Sequence, residues 1–185
     1  MLNQIITTDT DLFLFLNNIH NSFFDIIMKF ASAKFTWIPL YLLVLFFIFK
    51  KHKLKIGSLI FILIIISITI ADQSSVHIFK NVFLRLRPCF NPEIKNIVHT
   101  ISLPGGKYGF VSSHAANSFA FAVFSLLIFK NKNYTIFILI WAFFVSYSRI
   151  YLGVHYPLDI LGGALLGSLI SLSIYQLSKK FIFSS

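Results

Sequence analysis

The chain has 185 residues, enough for one domain, and its composition is that of a membrane protein. Hydrophobic residues make up 57% of it and charged residues only 12%, whereas soluble domains carry about 25% charged residues. The formal net charge of +10 comes from Lys and Arg in short stretches between apolar runs. This pattern is typical of the loops of membrane proteins and argues against a nucleic-acid-binding protein. We predict one integral membrane domain over residues 1–185.

The predicted fold class is all-α, a polytopic bundle of about five transmembrane helices. Residues 1–34 mix apolar and polar side chains too often for a span, which needs about 20 mostly apolar residues. They are therefore predicted as one or two amphipathic helices lying in the membrane interface. The five predicted spans are about 35–49, 56–79, 114–129, 134–151 and 157–177. In the last span, Gly163 and Gly167 have the small-residue spacing that favours close helix packing.

Polar and charged residues are concentrated in three clusters at the ends of apolar runs: Lys80–Pro88, Ser112–His114 and Ser148–Asp159. A charged group at membrane depth costs at least about 2.5–3.5 kcal/mol, so such groups mark functional sites. The first cluster ends the second span, the second begins the third span, and the third joins the last two spans. Because successive spans alternate in direction, all three clusters are predicted to lie at the same membrane face.

The opposite face is predicted to be cytoplasmic. It carries no acidic residue, and its basic residues satisfy the positive-inside rule, although each face receives eight Lys and Arg in total. The cytoplasmic set is Lys50, Lys51, Lys53, Lys55, Lys130, Lys132, Lys179 and Lys180. We therefore expect the three clusters to lie at the extracytoplasmic side of the membrane. The membrane is expected to be a bacterial inner membrane.

The clusters together contain the residues that bind a phosphate group. Lys80, Arg87 and Arg149 supply three cations, and arginine can hold phosphate oxygens in a bidentate fork. Ser112 and Ser113 lie at the start of a helix, where backbone N–H groups favour an anion. A phosphate is the simplest ligand for this set.

Two histidines and an aspartate supply the reactive groups. One neutral imidazole of the pair His114 and His155 can attack phosphorus, while the other, protonated, donates to the leaving oxygen. Asp159 follows His155 by four residues and would hold one of its ring nitrogens protonated. Pro157 is expected in the first helical turn, so that His155 precedes the helix and Asp159 reaches back to it.

These motifs resemble the three-part signature of the type 2 phosphatidic acid phosphatase superfamily, which also contains vanadium haloperoxidases. The first part is Lys80 with Arg87-Pro88, and the third is Ser148-Arg149 with His155 and Asp159. The second part departs from the usual Pro-Ser-Gly-His and reads Val111-Ser112-Ser113-His114. The motifs cover residues 80–159.

The resemblance implies a metal-independent lipid phosphatase without a cofactor. It implies that His155 becomes phosphorylated, that His114 protonates the leaving group and that Asp159 orients His155. Phosphate would be bound by Lys80, Arg87 and Arg149. Membrane members of the family act on lipid phosphates or diphosphates reached from the bilayer, such as undecaprenyl diphosphate, phosphatidylglycerol phosphate and phosphatidic acid.

Other hypotheses remain open at this point. A lipid A 1-phosphatase would use the same chemistry, whereas a transporter or a non-catalytic lipid-binding protein would use the same charges differently. The sequence contains no spaced Cys/His cluster for zinc. Arg85 is interpreted as an interfacial anchor only, and Asp72, inside the second span, is expected to pair with Lys80 or a neighbouring polar group.

Overall fold

A computed structural model describes residues 1–183 of the chain. Within these residues the chain folds into eight α-helices, and its β-structure is a single isolated bridge between Leu86 and Tyr108. The all-α prediction is confirmed. The helices are α1 (Leu2–Asn17), α2 (Ser22–Ser32), α3 (Ile38–Lys51), α4 (Leu54–Ser74), α5 (Asn81–Phe83), α6 (Ser113–Phe129), α7 (Lys132–Tyr151) and α8 (Pro157–Phe183).

Among the residues that the structure describes, three helical stretches are long and apolar enough to cross a membrane: Leu54–Phe83, Lys132–Tyr151 and Pro157–Ile182. The first is continuous from α4 through a wider π-helical turn into α5. At 1.5 Å per residue, the 14 residues of α3 and the 17 of α6 extend about 21 and 26 Å, less than the roughly 30 Å hydrocarbon core. The protein is thus an integral membrane protein, and the number of five spans stays a prediction.

Helix α6 lies at the centre of the bundle and packs against α4, α7 and α8. Its alanines at 115, 116, 120 and 122 are completely buried. On the facing side of α8, a side chain added at Gly163 or Gly167 would collide with the backbone of α6. Small residues on both helices therefore allow this close approach. The contact fixes the beginning of α6 relative to that of α8, and the N–H of Ser112 donates to the carbonyl of Asp159 at 2.9 Å.

The N-terminal segment forms two helices, as predicted, and they pack on the bundle: α1 contacts α7 and α8, and α2 contacts α7. Asn17, buried where α1 ends, donates from Nδ2 to the carbonyls of Ile150 and Tyr151 at 3.1 and 2.9 Å. Its Oδ1 accepts the N–H of His99 at 2.8 Å. These bonds join the turn between α1 and α2 to the end of α7. The interfacial location of the segment stays a prediction.

A loop over residues 84–112 connects α5 to α6 and folds back on itself. The N–H of Arg87 donates to the carbonyl of Lys107 at 2.9 Å, and the N–H of Gly109 donates to the carbonyl of Arg85 at 2.8 Å. The loop also contacts the connection between α7 and α8, where Gly153 has a φ of +72° and lies against the carbonyl of His99. Only glycine adopts that conformation without strain. The loop thereby carries Arg87 and Gly109 to the start of α8.

Candidate active site

Five of the eight predicted site residues line one cavity of about 700 Å³. They are Arg87, Ser113, His114, Arg149 and His155. They come from the loop, the start of α6, the end of α7 and the α7–α8 connection, so the fold brings together the three sequence clusters. The other three predicted residues, Lys80, Ser112 and Asp159, lie outside the described lining and adjoin it.

His155 and Asp159 form a buried pair. His155 immediately precedes the first turn of α8, and its Nδ1 lies 3.3 Å from Oδ2 of Asp159, which is completely buried. The same Oδ2 accepts the N–H of Tyr156 at 3.0 Å. An ionised carboxylate can only accept hydrogen bonds, so the neutral imidazole of His155 carries its proton on Nδ1. The lone pair of Nε2 then lies on the side of the cavity.

Arg87 lies against that lone pair. Its guanidinium donates to Nε2 of His155 at 2.8 Å and to the carbonyl of Val154 at 3.1 Å. Burial lowers the pKa of the Arg87 guanidinium. Burial, together with the positive charges of Arg87, Arg149 and Lys80, also lowers the pKa of His155 well below its ordinary value. The neutral form of this imidazole is therefore the stable one at neutral pH.

Each of the two arginines that line the cavity has an N–H group without a hydrogen-bond acceptor among the described residues. Nε of Arg87 and Nε of Arg149 are buried and have no hydrogen-bond partner among the described residues. A buried donor without a partner costs about 1–3 kcal/mol and more when it is charged. Two such donors from guanidinium groups favour an anion with several oxygen acceptors in the cavity, as phosphate has.

Lys80 reaches the edge of the cavity through hydroxyl groups. It lies at the end of the π-helical turn Ser75–Lys80, and wide turns of this kind are frequent at functional sites. Its Nζ donates to Oγ of Ser113, and Oγ of Ser75 lies 3.4 Å away. The hydroxyls of Ser75 and Ser113 are 2.6 Å apart. Ser113, which stands where the family signature has glycine, thus holds Lys80 beside the start of α6.

Ser112 caps α6 instead of facing the cavity. Its Oγ accepts the N–H of Ala115, and the residue is completely buried. The N–H of Ser112 donates to the carbonyl of Asp159, and phosphate binding by Ser112 stays a prediction. Its contribution is to fix the first turn of α6, on which Ser113 and His114 lie.

His114 and Arg149 meet a residue that the sequence did not indicate. Nε2 of His114 lies 3.3 Å from the carbonyl oxygen of Ser32 at the end of α2, and Arg149 donates to the Ser32 hydroxyl. Ser32 also lines the cavity. The second N-terminal helix, for which no role in the site was predicted, therefore supplies part of its wall.

Arg85 joins the carboxylate of Asp159 to α1. Its guanidinium contacts Oδ1 of Asp159 at 3.0 Å and Oδ2 of Asp9 at 2.6 Å, and it lies 4.1 Å from the ring centre of Tyr156. Asp9 is 4% exposed and also accepts the N–H of Leu158 at 2.9 Å. The interpretation of Arg85 as an interfacial anchor alone was wrong, because its charge is paired with two buried carboxylates.

Gly109 packs against the same pair. A Cβ added there would lie 2.9 Å from Oδ2 of Asp159, 3.2 Å from Cγ of Arg87 and 3.5 Å from Nδ1 of His155. At Gly105 and Gly106 an added Cβ would meet nothing within 4 Å. Of the three loop glycines, Gly109 is the one whose missing side chain leaves space for Asp159, Arg87 and His155.

Comparisons with known proteins show which family the chain resembles. The model of the PAP2 superfamily matches residues 56–183. The chain is 38% identical to a lipid A 4'-phosphatase of Bacteroides thetaiotaomicron, over 97% of the chain and 81% of that protein. It is 35% identical to an undecaprenyl-diphosphatase of Sulfolobus acidocaldarius, over 95% and 81%. The crystal structure of a transmembrane PAP2-type phosphatidylglycerolphosphate phosphatase from Bacillus subtilis has the same fold, with a TM-score of 0.72, 21% identity and coverage of 96% and 88%.

Proposed function

The chain belongs to the PAP2 superfamily and is a membrane lipid phosphatase, and we propose that it hydrolyses lipid phosphates through a covalent phosphohistidine at His155. The observation that carries this proposal is the line from Asp159 through His155 to Arg87. It holds the Nε2 lone pair of a neutral imidazole at the cavity, beside a cation that would bind the phosphate to be attacked. His114 faces the same cavity.

Binding precedes chemistry in this proposal. The unpaired N–H groups of Arg87 and Arg149 would hold the phosphate oxygens, and Lys80 would add a third positive charge from the edge of the cavity. Cations placed where negative charge develops lower the barrier for transfer of a phosphoryl group. Arg87 would exchange its hydrogen bond with Nε2 of His155 for one with phosphate, which frees the lone pair for attack.

The reaction would proceed in two steps. Nε2 of His155 forms a bond to phosphorus as the bond from phosphorus to the lipid oxygen breaks, and His114 gives that oxygen its proton. Asp159 keeps the proton on Nδ1 of His155 and stabilises the positive charge of the phosphorylated ring. In the second step water attacks phosphorus, His114 takes a proton from the water, and inorganic phosphate leaves with His155 neutral again.

An apolar groove supports a lipid as the substrate. A second pocket, of about 270 Å³, runs between α3 and α4, and it shares Tyr41 and Ile68 with the catalytic cavity. Apart from Tyr41, its lining is entirely aliphatic or phenyl. A hydrocarbon chain would lie in this groove with its phosphate in the cavity. We place the cavity at the extracytoplasmic face, because the opposite ends of the helices carry the lysines without acidic neighbours.

Phosphate release from purified enzyme in detergent micelles tests the proposal. The substrates would be lipid A, undecaprenyl diphosphate, phosphatidylglycerol phosphate and phosphatidic acid, with a chelator present. We expect release from at least one of them, and a loss of more than about 10³-fold in His155→Ala and His114→Ala. His77→Ala, at an exposed histidine that bonds to Gln73, is the matched control and should stay fully active. Full turnover by His155→Ala, or no release from any of the lipids by the unmodified enzyme, would contradict the proposal.

A further inference from the structure

A polar pair lies in the catalytic cavity next to the phosphate-binding residues. Asp72 of α4 and Asn117 of α6 both line the cavity, and Nδ2 of Asn117 donates to Oδ1 of Asp72 at 2.9 Å. Asn117 follows Ser113 by four residues, which places it about 6 Å further along α6. Asp72 thus pairs with a neighbouring polar group, and Lys80 bonds to Ser113 instead.

This pair has acceptor oxygens that are poorly satisfied. Oδ1 of Asn117 is buried and has no partner among the described residues. Oδ2 of Asp72 has a long contact, 3.4 Å, with the amide nitrogen of the exposed Gln73. A buried acceptor without a donor, such as Oδ1 of Asn117, is unfavourable. A ligand in the cavity with O–H or N–H groups at this depth would give this oxygen a donor and could add a second, shorter bond to the half-buried Asp72 carboxylate.

The position of the pair tells which part of a lipid it would meet. Ser113 and His114, at the end of the cavity where phosphate would bind, lie on one side of it. On the other side, Ile68, one turn before Asp72 on α4, and Tyr41 of α3 begin the apolar groove. The pair therefore lies between the phosphate and the hydrocarbon chain, where a phospholipid or glycolipid has its glycerol or sugar and an isoprenyl diphosphate has its second phosphate.

We propose that Asp72 and Asn117 form a subsite for an uncharged sugar or similar group rich in hydroxyls and amides, and that this subsite selects glycolipid phosphate monoesters against isoprenyl diphosphates. The inference rests on the proposed function. Hydroxyl and amide N–H groups of a sugar would donate to Oδ1 of Asn117 and to the Asp72 carboxylate. A second phosphate at the same place has no donors when ionised and would meet that carboxylate, and like charges repel. The pair thus uses attraction for one substrate and repulsion against the other.

Ratios of kcat/KM for two lipids test the subsite. The substrates are a diacylated glucosamine 4-phosphate and undecaprenyl diphosphate, each in the same detergent micelles. We expect the unmodified enzyme to prefer the glucosamine phosphate. Asp72→Asn, which keeps size and removes the charge, should lower this preference by about tenfold or more by improving diphosphate hydrolysis. Asn117→Ala should lower it by slowing glucosamine phosphate hydrolysis. Because both lipids are assayed on one preparation, misfolded protein cancels from the ratio.

Thr69→Ala is the matched control, since Thr69 also lines the cavity on α4 but is exposed and does not belong to the pair. Its ratio should stay within about twofold of that of the unmodified enzyme. If Asp72→Asn and Asn117→Ala change both lipids by the same factor, or if the unmodified enzyme prefers the diphosphate, the subsite is refuted while the phosphatase function stands. If neither lipid nor any other lipid phosphate releases phosphate, the proposed function itself fails.

Discussion

Replacement of Arg85 by alanine tests whether α1 supports the carboxylate of Asp159 in its proposed catalytic role. The change removes two ion pairs at once, to Asp9 at 2.6 Å and to Asp159 at 3.0 Å. A buried ion pair broken on one side costs about 3–5 kcal/mol, because a charge is left without a partner. The Arg85 side chain is 23% exposed, so water can partly replace it. We expect a loss of about 3 kcal/mol in the free energy of unfolding, the lower end of that range.

The expected fall in kcat follows from the loss of one contact, that between Arg85 and Asp159. Asp159 would keep His155 and the N–H of Tyr156 as partners and lose a hydrogen bond from a charged group, worth about 1.5–3 kcal/mol. At 1.36 kcal/mol for each factor of ten in rate, kcat should fall by about 10–100-fold. KM should hardly change, because Arg85 does not belong to the described lining of the cavity.

Phosphate release and thermal unfolding in the same detergent separate the possible roles of Arg85. Asp9→Asn is the matched variant, because it leaves the Arg85–Asp159 pair in place and should have a smaller effect on kcat. Arg85→Lys keeps the charge but not the fork that reaches both carboxylates, so it should restore part of kcat. The positioning role is refuted if Arg85→Ala lowers the melting temperature and leaves kcat unchanged. A rise in KM alone would mean that Arg85 binds substrate directly.

Three further changes have expected outcomes with different signs. Gly109→Ala should lower kcat by at least about tenfold with little change in KM, because the new methyl group would displace Asp159. Lys80→Met should lower kcat/KM by about 10–100-fold yet raise the melting temperature without phosphate, because it removes a half-buried cation bonded to hydroxyls. Between pH 6.5 and 5.5 His155 takes up a proton in the unfolded chain but stays neutral in the folded protein, because folding lowers the pKa of His155. The free energy of unfolding should therefore fall by about 1 kcal/mol more in the unmodified protein than in His155→Gln, measured by thermal unfolding at both pH values.

The gathering of the phosphate-binding and histidine residues could be predicted, since it follows from the ends of apolar runs and from the alternation of spans. His114, Arg149 and His155 lie at or next to the ends of long helices, whereas Arg87 lies in the loop that connects α5 to α6. The closeness of His155 and Asp159 could be predicted for a local reason, because four positions separate them and Pro157 starts the helix.

The support from the N-terminal helices could not be predicted. Arg85 and Asp9 are 76 positions apart, and Arg149 and Ser32 are 117 apart. No local sequence pattern relates residues so far apart. The segment that carries Asp9 and Ser32 was predicted only to lie in the membrane interface, which gave no reason to expect contacts with the site. The role of Gly109 could not be predicted for another reason. The sequence does not distinguish this packed glycine from Gly105 and Gly106, which lie in the same loop without close neighbours.

The covalent intermediate is the central claim of this account, and its capture is the most direct test. Purified enzyme would be mixed with a lipid substrate carrying a radiolabelled phosphate, quenched in base within one turnover and digested for mass spectrometry. We predict an acid-labile phosphoryl group on the peptide that contains His155, and its disappearance in His155→Ala. Label on any other residue, or hydrolysis at the normal rate without a labelled protein, would contradict the account.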